Sequence, residues 1–224
     1  MSDPITTFIE NTDEVKKLLK AHETITGVKP GRRYDIEVIN KSSVVLLTAC
    51  WEAFVEDAAA GAFDFLISKS KDPHKIPEAI RRNVAIWNRK NEHELREWFF
   101  AGEGWRSVLQ NYKKHHVGLF NTPRAGKVDE LFRDLLGLSS VSDNWKWPGM
   151  KPQKARDRLS DYITLRGSIA HRVKAGKSVG KHTAVDYLVF VSRLAVRTSN
   201  VTNKYILNLV GEAPWGPYNY GSFR

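Results

Sequence analysis

From Asp35 to Ser68 the chain runs thirty-four residues without a proline. Within this stretch Ile36, Ile39, Val45, Leu47, Trp51, Phe54, Val55, Ala58, Ala62, Phe65 and Leu66 recur mostly at spacings of three and four. That is the period of an α-helix, and the density of apolar positions predicts an amphipathic or largely buried one, with Gly61 the place for any kink. Its most apolar part, Val44 to Ile67, is interrupted by Glu52, Glu56, Asp57 and Asp64. Those charges argue against a membrane span, so no membrane partner is expected.

The rest of the chain carries the same period, and no segment survives a count for strands. Asn11 with Glu14 three residues on has the form of a capping box, which predicts a first helix from there to about Thr26, ended by Gly27, Pro30 and Gly31. Lys69 to Pro77 reads as a turn with Pro77 as a first helical residue. Helices are predicted over Ile80–Phe100, in one or two pieces, over Trp105–His116, and over Lys127–Leu136, the last closed by Gly137. Leu138 to Gly149 reads as a loop carrying Trp145 and Trp147. Thr183 is placed to cap a last long helix reaching Val210. The expected architecture is all-α: a helical bundle with two long helices, a motif helix between them and shorter inserted helices. One domain over 1–224 is expected, with 70–150 as an insertion region and 211–224 as an aromatic tail.

The motif helix is Pro152 to Arg172, PQKARDRLSDYITLRGSIAHR. At 100° per residue Leu159, Tyr162, Ile163, Ile169 and Ala170 share one stripe, and Arg166 falls near its middle. A guanidinium keeps its charge, and burying it unpaired costs several kcal/mol. The stripe must therefore open at Arg166 onto a carboxylate, a cleft or another chain. His171 is displaced from Arg166 by about 140° and about 7.5 Å of rise.

Charge is concentrated in the same place. The formal net charge is +10, and between Lys151 and His182 nine Lys/Arg against two Asp give +7. A polyanion suits such a patch, since neutralised phosphates release counterions. A merely solvated basic face is the alternative. Cys50 is the lone cysteine, so no disulfide framework exists within the chain. The N-terminus lacks the basic and apolar regions of a signal peptide, and the cytoplasm is the expected location. His93 and His115-His116 stand without a second Cys, an HExxH or a Cx2C pattern, so no metal and no cofactor are expected.

Three places resemble the HEPN superfamily, in its RiboL-PSP-like branch: LLTACWEAFVEDAA (46–59), YITLRGSIAHR (162–172) with its Arg-x4-His spacing, and the final long helix after a short basic loop. Where many relatives place Asn directly after the motif Arg, this chain has Gly167. Val173 stands where tyrosine-modified relatives carry Tyr. The resemblance implies a helical fold, a two-fold dimer whose Arg/His pairs converge on one cleft, and metal-independent RNA cleavage. It further suggests a toxin or antiviral effector, with an antitoxin or defence-system partner.

On that reading His171 is general base or acid, because an imidazole alone has an unperturbed pKa close to neutral. It would take the ribose 2′-OH proton, giving a 2′,3′-cyclic phosphate and a 5′-OH. Arg166 would hold the phosphate and stabilise transition-state charge. Arg172, Lys174, Lys177 and Lys181 would line the approach and bind phosphates. Glu52 and Glu56, four residues apart on one face of the early helix, are candidates to orient Arg166 or His171; surface carboxylates or a pairing with Lys41 are the plainer alternative. A structural Arg with a helix-capping His, in a non-catalytic dimer that binds RNA or a protein, is the competing function. DNA binding ranks lower, for want of a reading helix. Trp145, Trp147, Trp215, Tyr218, Tyr220 and Phe223 could stack on bases, but packing is favoured.

Overall fold

The computed structural model describes residues 3–26, 37–90, 96–172 and 178–223. Seven α-helices lie among them: α1 (Pro4–Thr26), α2 (Glu37–Lys69), α3 (Glu78–Arg89), α4 (Gly104–Gly118), α5 (Ala125–Leu136), α6 (Pro152–Arg172) and α7 (Lys181–Val210). The described residues contain no strand, only an isolated bridge between Trp147 and Met150. The fold is all-α.

From Glu37 on, the proline-free stretch is α2, continuous through Gly61 and enclosed by α1, α7, α6 and α5; Asp35 and Ile36 lie outside the described residues. Val44, Leu47, Trp51, Val55, Ala58, Ala59, Ala62, Phe63 and Leu66 are wholly buried. Small side chains at 58, 59 and 62 let neighbouring helices approach, while Trp51 and Phe54 fill the space beside them. Trp51 meets Trp145 edge-on at 5.8 Å, and Phe8 of α1 meets Phe54 at 5.5 Å. By length and composition α2 could cross a membrane. Here its apolar positions form the core, where each buried side chain contributes roughly 1.5–3 kcal/mol.

Several predicted helix boundaries are corrected. The first helix opens at Pro4, seven residues before the expected capping box. The Asp3 carboxylate accepts the Ile5 amide at 3.0 Å, and proline at the first position has no N–H to strand. Asn11 and Glu14 are exposed positions inside α1, where Glu14 pairs with Lys17 at 2.6 Å. The last helix opens at Lys181, with Gly180 before it and no side-chain cap from Thr183. Tertiary contacts pin this start: Asn40 donates to the Val179 carbonyl at 3.0 Å, and the Val179 amide donates to Glu37 at 2.8 Å.

The helix predicted over 80–100 ends at Arg89. A 3-10 turn occupies Arg96–Phe100, where Trp98, Phe99 and Phe100 are exposed and give a helix no face to bury. Pro77 is extended and precedes α3 instead of opening it. Gly137 ends α5 as expected, at φ 73°, where an added Cβ would also lie 3.3 Å from Ala79 and Tyr205. The 138–149 loop contains a 3-10 turn, Val141–Asn144. It delivers Trp145 into the core, with the indole N–H donating to Thr198 at 2.9 Å. The aromatic tail is docked: the Asn200 side chain bonds both the carbonyl and the amide of Tyr218, at 2.8 and 2.9 Å.

Candidate functional site

The site is built where α6 crosses α2 and α7. The upstream part of α6 follows the predicted stripe: Ala155, Leu159, Tyr162 and Ile163 are buried. Tyr162 stacks on Tyr187 of α7 at 3.9 Å and 12°, and the Tyr187 hydroxyl shares a 3.1 Å hydrogen bond with Thr48 of α2. Burial pushes the Tyr187 phenol well above the usual range, opposed chiefly by the Thr48 hydrogen bond and least by the Arg166 charge. Downstream the contact sector rotates. Leu165 and Ile169 face the core, while Arg166 and Ala170 are exposed. Ala170 was expected on the buried stripe; it lies outside, because in the last turns of α6 it is Leu165 and Ile169 that pack on the core.

Arg166 therefore emerges at the edge of the seam, close enough to Glu52 for their charges to interact, yet with no hydrogen bond or ion pair among the described residues. Partial burial raises the Glu52 carboxyl, and the Arg166 charge works against that rise. Glu56 is also raised, by burial first and then by repulsion from Glu52 and Asp57. Of the two carboxylates, Glu52 is the one that feels Arg166. Lys41 pairs with Glu37 at 3.4 Å and not with either. His171 is exposed near the end of α6.

The predicted phosphate-binding set is only partly placed. The Arg172 side chain, Lys174 and Lys177 lie outside the described residues, and Lys181 is the half-buried first residue of α7. Part of the basic field is structural. Arg156 donates to Ser142 at 2.8 Å and pairs with Asp143. Arg158 lies 4.0 Å from Asp186 and over the rings of Tyr162 and Phe190. Arg124 escaped the sequence reading. It clamps α6 by donating to the Ser160 carbonyl at 3.1 Å, to the Ser160 hydroxyl and to Thr164 at 3.0 Å. Its only sequence signal was its place just after Pro123, at the entry to a helix.

Among the described residues no group of three or more His, Cys, Asp or Glu could hold a metal. His116 sits 3.6 Å from Asp134 and meets the Tyr112 ring at 4.3 Å, tilted by 48°; burial lowers its pKa. Cys50 is buried, which raises its thiol and keeps it unreactive.

The model of one family, RiboL-PSP-HEPN, matches residues 6–204, a span that includes 70–150. No curated protein and no solved structure matches the chain.

Proposed function

The chain belongs to the RiboL-PSP-HEPN family, and on that premise we propose that it is an endoribonuclease whose working unit is a two-fold dimer. The observation that carries this reading is Arg166: a permanent cation at the edge of an apolar seam, beside Glu52 but bonded to nothing among the described residues. An arginine with only a structural duty would be expected to close on that carboxylate. One left open is poised for an anion from outside, and its planar fork suits a phosphate.

His171 then removes the ribose 2′-OH proton, the oxygen attacks the adjacent phosphorus, and the 5′-oxygen leaves with a proton. The products are a 2′,3′-cyclic phosphate and a 5′-hydroxyl. Arg166 stabilises charge on the phosphoryl oxygens, an effect worth about 3–4 kcal/mol per donor in comparable sites. The two groups diverge by about 140° on one helix, so one subunit does not aim both at one phosphate, whereas a symmetric pair of α6 helices does. A role as a toxin or defence effector, restrained by a partner, is consistent with such an activity.

The test is RNA incubated in EDTA with wild type, Arg166→Ala and His171→Ala. Cleavage by wild type alone supports the assignment, and equal cleavage by all three ends it. Gly167 favours a second reading, a dimer that binds RNA or protein without cutting. No atom lies within 4 Å of where its Cβ would be, so packing within the chain does not require a glycine where relatives carry a polar side chain. On this reading wild type binds RNA and leaves it intact.

A further inference from the structure

Helix α7 carries a second cation with no carboxylate partner among the described residues. Arg193 lies over two aromatic rings, 4.7 Å from the centre of Tyr220 and 5.6 Å from that of Trp147. Its Nε is buried and has no hydrogen-bond partner, and no carboxylate pairs with the guanidinium among the described residues. A buried donor left unmade costs about 1–3 kcal/mol, so such a group calls for an acceptor. Arg197, one turn on, is exposed on the same face. Between them and the tail opens a cleft of about 290 Å³, lined also by Pro148 and Asn200, close to the lower limit for small-ligand sites.

The walls of this cleft are held in place. Trp147 is fixed by reciprocal backbone bonds with Met150 across the Pro148-Gly149 turn, at 3.2 and 2.8 Å, with Gly149 at φ 79°. The Tyr218 backbone is clamped by Asn200. Rigid aromatic walls and two guanidinium forks, in a chain of net charge +10, match a ligand with a flat ring and a dianionic group.

We propose that this cleft binds a nucleotide, its base against Trp147 and Tyr220 and its phosphate on Arg193 and Arg197. The ligand is either a free nucleotide or one unit of a single strand. The site stands whether or not Arg166 and His171 cut RNA.

The test is calorimetric titration of the full chain at low salt with adenosine 5′-monophosphate, adenosine, inorganic phosphate, an aspartate-rich peptide and a deoxyadenylate decamer, which lacks the 2′-OH needed for cleavage. The monophosphate is expected to bind more tightly than either fragment. Arg193→Gln and Arg197→Gln should each weaken it about tenfold, as for loss of one charge-assisted hydrogen bond. Arg197 is exposed, so its variant keeps the fold even if loss of Arg193 loosens the tail. Arg166→Ala should leave this affinity unchanged while lowering cleavage, which separates the two sites. Tighter binding of the decamer, in competition with the monophosphate, identifies a strand; equal or weaker binding identifies a free nucleotide. The proposal is overturned if the monophosphate does not bind, if phosphate or the peptide binds as tightly, or if neither arginine variant changes the affinity.

Discussion

The two halves of α6 treat their cations in opposite ways. Upstream, Arg156 is spent on Ser142 and Asp143, and Arg158 is shared between Asp186 and two aromatic rings. Downstream, Arg166 has a carboxylate in range and leaves it unbonded, and His171 points into solvent. The helix is shared but the charges are not: residues 152–162 carry three cations and two carboxylates, residues 163–172 only Arg166 and Arg172. Upstream cations tie the 138–149 loop and α7 to α6; downstream, Arg166 makes no such tie among the described residues, which is what the proposed anion site requires.

The largest effect should fall on the downstream half. Arg166→Ala is expected to lower RNA cleavage on the order of 10²–10³-fold, while its thermal unfolding shifts by no more than about 0.5 kcal/mol. A drop in stability larger than the drop in rate would reverse the assignment of the two halves. Arg156→Ala should do the opposite: a loss of about 1 kcal/mol in denaturant titrations, with cleavage retained, since its partners are structural. If that variant stops cutting RNA while still folded, the boundary between the halves is in the wrong place.

Gly167 sharpens the comparison. A helical glycine with open space around it should gain about 1 kcal/mol on replacement by alanine. If Gly167→Ala stabilises each subunit yet weakens the dimer in sedimentation, close approach of the second copy explains the glycine. A stabilised and fully dimeric variant would deny it that purpose.

The smallest effect concerns the carboxylates. Glu52, Glu56 and Asp57 all have raised pKa values, chiefly from burial, so the folded state holds protons that the unfolded chain has already released. Stability contributed by these groups must therefore fall as pH rises from the ordinary carboxylate range through their raised values. Glu52→Gln and Glu56→Gln together should flatten that slope in pH-dependent melts. Rates for Glu52→Gln within twofold of wild type would remove Glu52 from any role in orienting Arg166.

Much of this was legible in the residues. The three-and-four spacing of 35–68 could only be satisfied by a covered helix, and Arg166 among Leu159, Tyr162 and Ile163 had to sit at an opening, because its charge cannot be neutralised. Less legible were the places where local signals competed. Asn11-x2-Glu14 and Thr183 both look like helix starts, yet α1 begins at Asp3-Pro4 and α7 at Lys181, where Asn40 and Glu37 hold the preceding turn. A local cap contributes about 1 kcal/mol, and a longer amphipathic face or a distant clamp outweighs it.

The amino-acid pattern by itself determined the helical class, the core helix and the burden of an unpaired guanidinium on a seam, since periodicity and charge are properties of the chain alone. Only the tertiary structure decided which cations are spent. Arg158 meets Asp186, Arg156 meets Asp143, and Arg124 meets Ser160 and Thr164 because helices and loops far apart in the chain pack together. The reach of a charge for its partner is set by that packing, and no spacing along the chain encodes it.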